Sequence, residues 1–117
     1  MGVTPVRALF PTTTGGLAIS SVTYMESYEG ILRERSPIVQ AHFDRLISTL
    51  EVIPFALPEA ARCAQLRAEL RRLRRPVRPR GLDLLIAATA LEHDLTLVTR
   101  NTADYRDVPG LKLHPGA

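Results

Sequence analysis

Three observations predict an α/β fold with one mostly parallel sheet covered by helices on both faces. Short strand-like runs alternate with segments of helical period. No repeat, low-complexity tract or composition break divides the chain. The chain's 117 residues, 45 % of them hydrophobic, are enough for one real core and too few for two. Residues 1–117 therefore read as a single domain.

Met1 to Gly16 is the least regular part. Val6 to Phe10 fits the end of a helix or a short strand, and Pro11 to Gly16 fits a loop. No Gly-Lys-Ser/Thr follows those glycines, which argues against a nucleotide-binding or phospho-acceptor domain. Leu17 to Ser20 reads as a buried strand, and Thr23 to Arg33 as a helix capped by Ser21 or Thr23. Pro37 suits the first turn of a helix reaching about Leu50, with Phe43, Leu46, Ile47 and Leu50 on one face. Glu51 to Pro54 is the next strand. Pro58 opens a helix that stops before Pro76. A helix around Asp83, a strand at Leu95 to Thr99, a helical turn near Asn101 and a last strand at Leu111 to Leu113 complete the order.

Composition narrows the function. No apolar run reaches the ~20 residues that span a bilayer, and the start lacks the pattern of a secretory signal, so the expected location is the cytoplasm, with no membrane partner. The single cysteine, Cys63, lies among alanines on a helix and reads as a small buried side chain. Net charge is +3, and Arg71, Arg72, Arg74, Arg75, Arg78 and Arg80 crowd together. Guanidinium forks match phosphate oxygens, so this cluster, with Arg78 and Arg80 as its candidate contacts, fits nucleic acid. It equally fits cations solvating a helix end. Aromatic content of 5 % argues against a surface that binds single strands by stacking.

Three carboxylates stand out. Asp83 is the one ionisable residue in the apolar stretch Gly81 to Leu91, and an unpaired charge facing a core is costly. Glu26 comes one helical turn after the Leu17 to Ser20 strand, and Asp104 one turn after the Leu95 to Thr99 strand. Sites in such sheets lie at the carboxyl ends of the strands, so the three are expected to converge. Like charges brought together raise one another's pKa unless a cation compensates. Magnesium, or manganese, suits oxygen ligands and keeps several waters. Zinc is disfavoured because His42, His93 and His114 are scattered. With such an ion the natural substrate is a phosphodiester, cut by an activated water. Each acid also has a purely structural reading: Thr23 to Glu26 as a capping box, Asn101 as a cap for the turn holding Asp104, and the helix's positive pole for Asp83.

Arg80-Gly-Leu-Asp83-Leu-Leu-Ile-Ala-Ala-Thr-Ala-Leu-Glu-His, then Leu-Thr-Leu-Val-Thr99-Arg-Asn101-Thr-Ala-Asp104-Tyr and Val108-Pro-Gly-Leu-Lys-Leu, resembles the C-terminal half of PIN-domain ribonucleases, most of all VapC-type toxins. Ile19-Ser-Ser-Val-Thr23-Tyr-Met-Glu26 resembles that family's second block. The resemblance implies a three-layer α/β/α PIN-like domain and a magnesium- or manganese-dependent endoribonuclease of the toxin type. It implies that Glu26, Asp83 and Asp104 are catalytic metal ligands, with Asn101 beside the fourth acidic position. The implied partners are a cognate antitoxin protein, an RNA substrate and a second copy in a homodimer.

One departure qualifies this. Family members open with a strand ending in Asp-Thr or Asp-Ser, whose aspartate is the first ligand, yet no acid precedes Glu26 here. A parallel crossover needs about a dozen residues, and only Pro11 to Gly16 separate Val6 to Phe10 from the next strand. The expectation is therefore that Val6 to Phe10 is the tail of the family's second helix, and that the N-terminal strand is missing. The sheet would then hold a gap between two exposed edges, and activity would be impaired. The alternative function is a non-catalytic PIN-like module that binds an antitoxin or RNA.

Overall fold

The computed structural model describes residues 8–11 and 16–114. Five strands, β1 Ala8–Pro11, β2 Leu17–Ser20, β3 Glu51–Ile53, β4 Thr96–Thr99 and β5 Lys112–Leu113, form one sheet in the order β3-β2-β1-β4-β5. The helices are α1 Ser21–Glu34, α2 Pro37–Ile47, α3 Leu57–Arg72 and α4 Gly81–Glu92, with 3-10 turns at Arg78–Arg80 and Thr102–Asp104.

Successive strand residues face opposite sides of a sheet, and Ala18 and Ile19 of β2 are both fully buried. Both faces are therefore covered, as the α/β expectation requires. Ala18 joins the main core with Phe10, Ile53, Leu66, Leu70, Leu84 and Leu97. The run Ala87, Ala88 and Ala90 is wholly buried, and its small side chains let α3 lie along α4. Tyr24, Tyr28 and Phe43 pack ring against ring between α1 and α2, at centroid distances of 5.7 to 5.8 Å.

The expected gap is not there. β1 occupies the centre of the sheet and runs antiparallel to both neighbours, Phe10 opposite Ala18 on one side and Ala8 opposite Thr99 on the other. The other four strands share one direction, since β2 pairs parallel with β3 and β4 with β5. The short connection does exclude a parallel crossover, but it leaves an antiparallel hairpin open, and that is the solution adopted. The helix-tail reading of Val6 to Phe10 is thus corrected over the described part, which is strand. Val6, Arg7 and the loop expected at 12–15 lie outside the described residues.

Candidate metal and nucleic-acid site

Three short hydrogen bonds shape the end of the sheet where β2 and β4 finish. Ser20 Oγ accepts from Thr23 N at 2.9 Å, which makes Ser20, not Ser21 or Thr23, the cap of α1. Ser21 Oγ accepts from Phe55 N at 3.0 Å, tying the start of α1 to the chain leaving β3. Thr99 Oγ1 accepts from Asn101 N at 3.1 Å and folds the turn after β4. The hydroxyl residues that end these strands set the directions in which the acid-bearing segments leave.

Glu26 follows on α1, half-buried, and the capping-box reading of it fails because Thr23 is already inside the helix and buried. Asp83 sits in the first turn of α4, also half-buried, where the helix dipole favours a carboxylate. Its Oδ1 accepts a 3.2 Å hydrogen bond from the hydroxyl of Tyr105, which is itself buried. Asp104 ends the 3-10 turn, and its carboxylate accepts from the Asn101 side-chain amide.

Tyr105 reports how these acids are arranged. Burial, then the charge of Asp83 and the hydrogen bond to it, then the charges of Glu26 and Asp104, push its hydroxyl above the ordinary tyrosine range. Of these contributions, the one from Asp83 comes with direct contact, through its hydrogen bond to the hydroxyl. Sequence reasoning passed over Tyr105, whose only sign was an aromatic ring with a polar tip in an otherwise polar turn.

The donor chemistry suits a hard divalent cation, being carboxylate and carboxamide oxygen only. Among the described residues, however, no three of His, Cys, Asp and Glu stand close enough to hold one ion together. Magnesium usually needs only one or two carboxylates beside its waters and substrate phosphates, so the donors fit an ion that substrate helps to complete.

Beside the acids lies a cleft of about 480 Å³ lined by Arg75, Pro76, Arg80, Ala103, Asp104, Arg106 and Asp107. Arg80 holds its wall. Its Nη1 and Nη2 donate to the two Asp107 carboxylate oxygens at 2.6 and 2.9 Å, its Nη1 also to Asp104 O at 3.0 Å, and its Nε to Pro76 O at 2.8 Å. The side chains of the pair are only 10 % and 20 % exposed. The Arg80 guanidinium holds the Asp107 carboxyl below its ordinary range, with Arg75 adding its charge from nearby. Most of the donor fork of Arg80 is thus committed inside the fold, whereas Arg78 is exposed.

The other residues singled out in the sequence occupy ordinary places. Cys63 is buried against Leu84 O, and burial raises its thiol pKa. His42 and His114 are exposed, and His93 caps α4, where Nε2 lies 2.6 Å from Oε2 of the buried Glu59.

An α/β sheet domain with acidic residues on the segments that leave its co-directional strands is the class that fold and site define. Within it, the chain belongs to the PIN domain family, whose model matches residues 5–111. It is 36 % identical over 108 residues to a tRNA(fMet)-specific endonuclease VapC of Shigella flexneri, covering 92 % of this chain and 80 % of that one. It is 33 % identical to Ribonuclease VapC2 of Rickettsia felis, covering 83 % and 72 %. Among solved structures it resembles the DNA-bound VapBC of Salmonella typhimurium, with a TM-score of 0.72 and 35 % identity over 83 % of this chain and 73 % of that one. No described helix is long and apolar enough to cross a membrane.

Proposed function

We propose that this chain is an endoribonuclease of the VapC toxin type that uses magnesium or manganese, acts in the cytoplasm and is held in check by a cognate antitoxin. The observation that carries the reading is the hydrogen bond from Tyr105, the neighbour of Asp104, to Asp83, which joins the turn after β4 to the start of α4, with Glu26 on the helix that leaves β2. Likeness to named endonucleases over 92 % of the chain supports the reaction class, and likeness to VapBC complexes supports the partner.

One or two of Glu26, Asp83 and Asp104 would bind the ion directly and the rest through its waters, with the Asn101 carbonyl oxygen beside them. When bound, it would polarise a phosphoryl oxygen and acidify a water, so that no protein nucleophile is needed. Tyr105 fixes the rotamer of Asp83 and keeps one of its oxygens hydrogen-bonded. Asn101 does the same for Asp104. Arg78, exposed on the 3-10 turn before α4, would meet RNA phosphate, whereas Arg80 would act there chiefly by shaping the wall. Pairing of two copies is part of the same proposal.

The test is cleavage of tRNA, the substrate named for the Shigella relative, by purified protein with magnesium. Expected is cutting that chelation stops and that Glu26→Gln lowers by a factor of at least about a hundred, the usual scale for a group that supports the reacting atoms. Cutting that survives both changes would remove the acid site from the chemistry.

A second reading, a non-catalytic PIN-like module that binds antitoxin or RNA, is favoured by one specific fact: the described acids do not form a ready three-ligand set. Tight RNA or antitoxin binding without any magnesium-dependent cutting would select it.

A further inference from the structure

We infer that the cleft beside Asp104 is a phosphate subsite that grips the RNA backbone next to the phosphodiester being cut. The inference rests on the nuclease reading above and adds to it the residues that hold substrate.

Carboxylates repel a polyanion, so a site built only from Glu26, Asp83 and Asp104 would drive RNA away. Positive charge has to stand close by and remain available. The cleft has three arginines, and they are not equivalent. Arg80 is neutralised by its two-pronged pair with Asp107 and serves as structure. Arg75 and Arg106 are exposed, line the same cleft and make no salt bridge among the described residues. With Asp107 already paired, they supply two uncommitted guanidinium forks, the geometry suited to phosphate oxygens.

Contiguity gives the direction. Asp104 lines the cleft, and the next residue, Tyr105, hydrogen-bonds Asp83. A phosphate gripped by Arg75 and Arg106 therefore leaves its neighbour along the strand beside the acids. Pro76 and Ala103 line the same cleft without adding charge, and about 480 Å³ accommodates a phosphate with its ribose. An acidic protein segment could meet the same arginines, but nothing in its chemistry would require the adjoining carboxylates.

The experiment measures binding of a single-stranded RNA oligonucleotide across salt concentrations, in the Glu26→Gln background so that the RNA stays intact. Each lost phosphate contact should flatten the slope of log K against log salt by about 0.7, so Arg75→Ala with Arg106→Ala should flatten it by about 1.4. The pair Arg75→Lys and Arg106→Lys should restore most of the slope, and Arg45→Ala, outside the cleft, should leave it unchanged. Unchanged melting temperatures would separate this loss from misfolding. A slope that survives removal of both arginines overturns the subsite while leaving the nuclease reading standing on its Glu26-dependent cleavage. Wild-type protein that neither binds nor cuts RNA overturns both, and loss of binding only to a protein partner overturns the subsite in favour of a protein surface.

Discussion

Removing Arg80 should cost this domain both stability and the alignment of its acids. In Arg80→Ala, Asp107 keeps its carboxylate but loses two charge-assisted hydrogen bonds, and the carbonyl oxygens of Asp104 and Pro76 lose one donor each. Cutting one partner out of a fully buried pair costs about 3–5 kcal/mol, and an exposed pair is worth under about 1 kcal/mol. With the two side chains 10 % and 20 % exposed, the expected loss lies near the lower edge of the buried range, about 2–3 kcal/mol. For a domain of this size that lowers the melting temperature by roughly 10 °C. Thermal or urea unfolding of Arg80→Ala, Asp107→Asn and the double variant completes the cycle, and a coupling of at least about 1.5 kcal/mol is expected. Additivity within about 0.5 kcal/mol would refute the claim that this pair clamps the turn after β4 onto the start of α4. Arg80→Lys should recover only part of the loss, because an ammonium cannot reproduce the two-pronged geometry.

Two further outcomes follow from local chemistry. The hydrogen bond from His93 and the backbone contacts at the start of α3 hold the Glu59 carboxyl below 4.5, so its contribution to stability is present above the unfolded-state value and fades as pH falls through the folded one. Acid unfolding of Glu59→Gln should therefore show a flatter stability profile below about pH 4.5 than wild type, and parallel profiles would discount the pair. Arg35 closes α1 with φ 54 and ψ 31, a left-handed conformation that costs a side-chain-bearing residue about 1 kcal/mol. Arg35→Gly should raise stability by about 0.5–1 kcal/mol in denaturant titration, and a loss would mean that the arginine side chain compensates for its backbone.

What could be read in the chain and what could not divide along a physical line. The eight elements from Leu17 onward follow from local signals, such as Pro37 and Pro58 opening helices and the apolar run after Gly81, and the structure places each within a few residues of expectation. The placement of Glu26 and Asp104 on the segments that follow β2 and β4 was legible because strand-then-helix order decides which end of a sheet a segment leaves. Strand direction at Ala8–Pro11 was not, since four residues carry no record of which way they will pair. Nor was Arg80, because a cluster of arginines looks alike in sequence until a carboxylate 27 positions away selects one of them. Tyr105 was hidden for the same reason: its partner, Asp83, lies on another element 22 positions back.

The reversed central strand bears directly on the chemistry. An antiparallel strand presents its N-terminal end where its neighbours present their carboxyl ends, so the register sets Ala8 opposite Thr99 at the site end of the sheet. Alanine cannot ionise, so β1 adds no carboxylate there, and the acids come only from segments that leave the flanking strands and from α4. If the site takes a divalent ion as proposed, fewer like charges mean less mutual repulsion to relieve, hence a weaker pull on the ion and a larger share of its coordination left to water and substrate phosphate. Substrate gripped by neighbouring arginines would then do more than orient the strand. It would bring the oxygens that complete the ion's shell, so RNA and magnesium should each tighten the other's binding by the same factor.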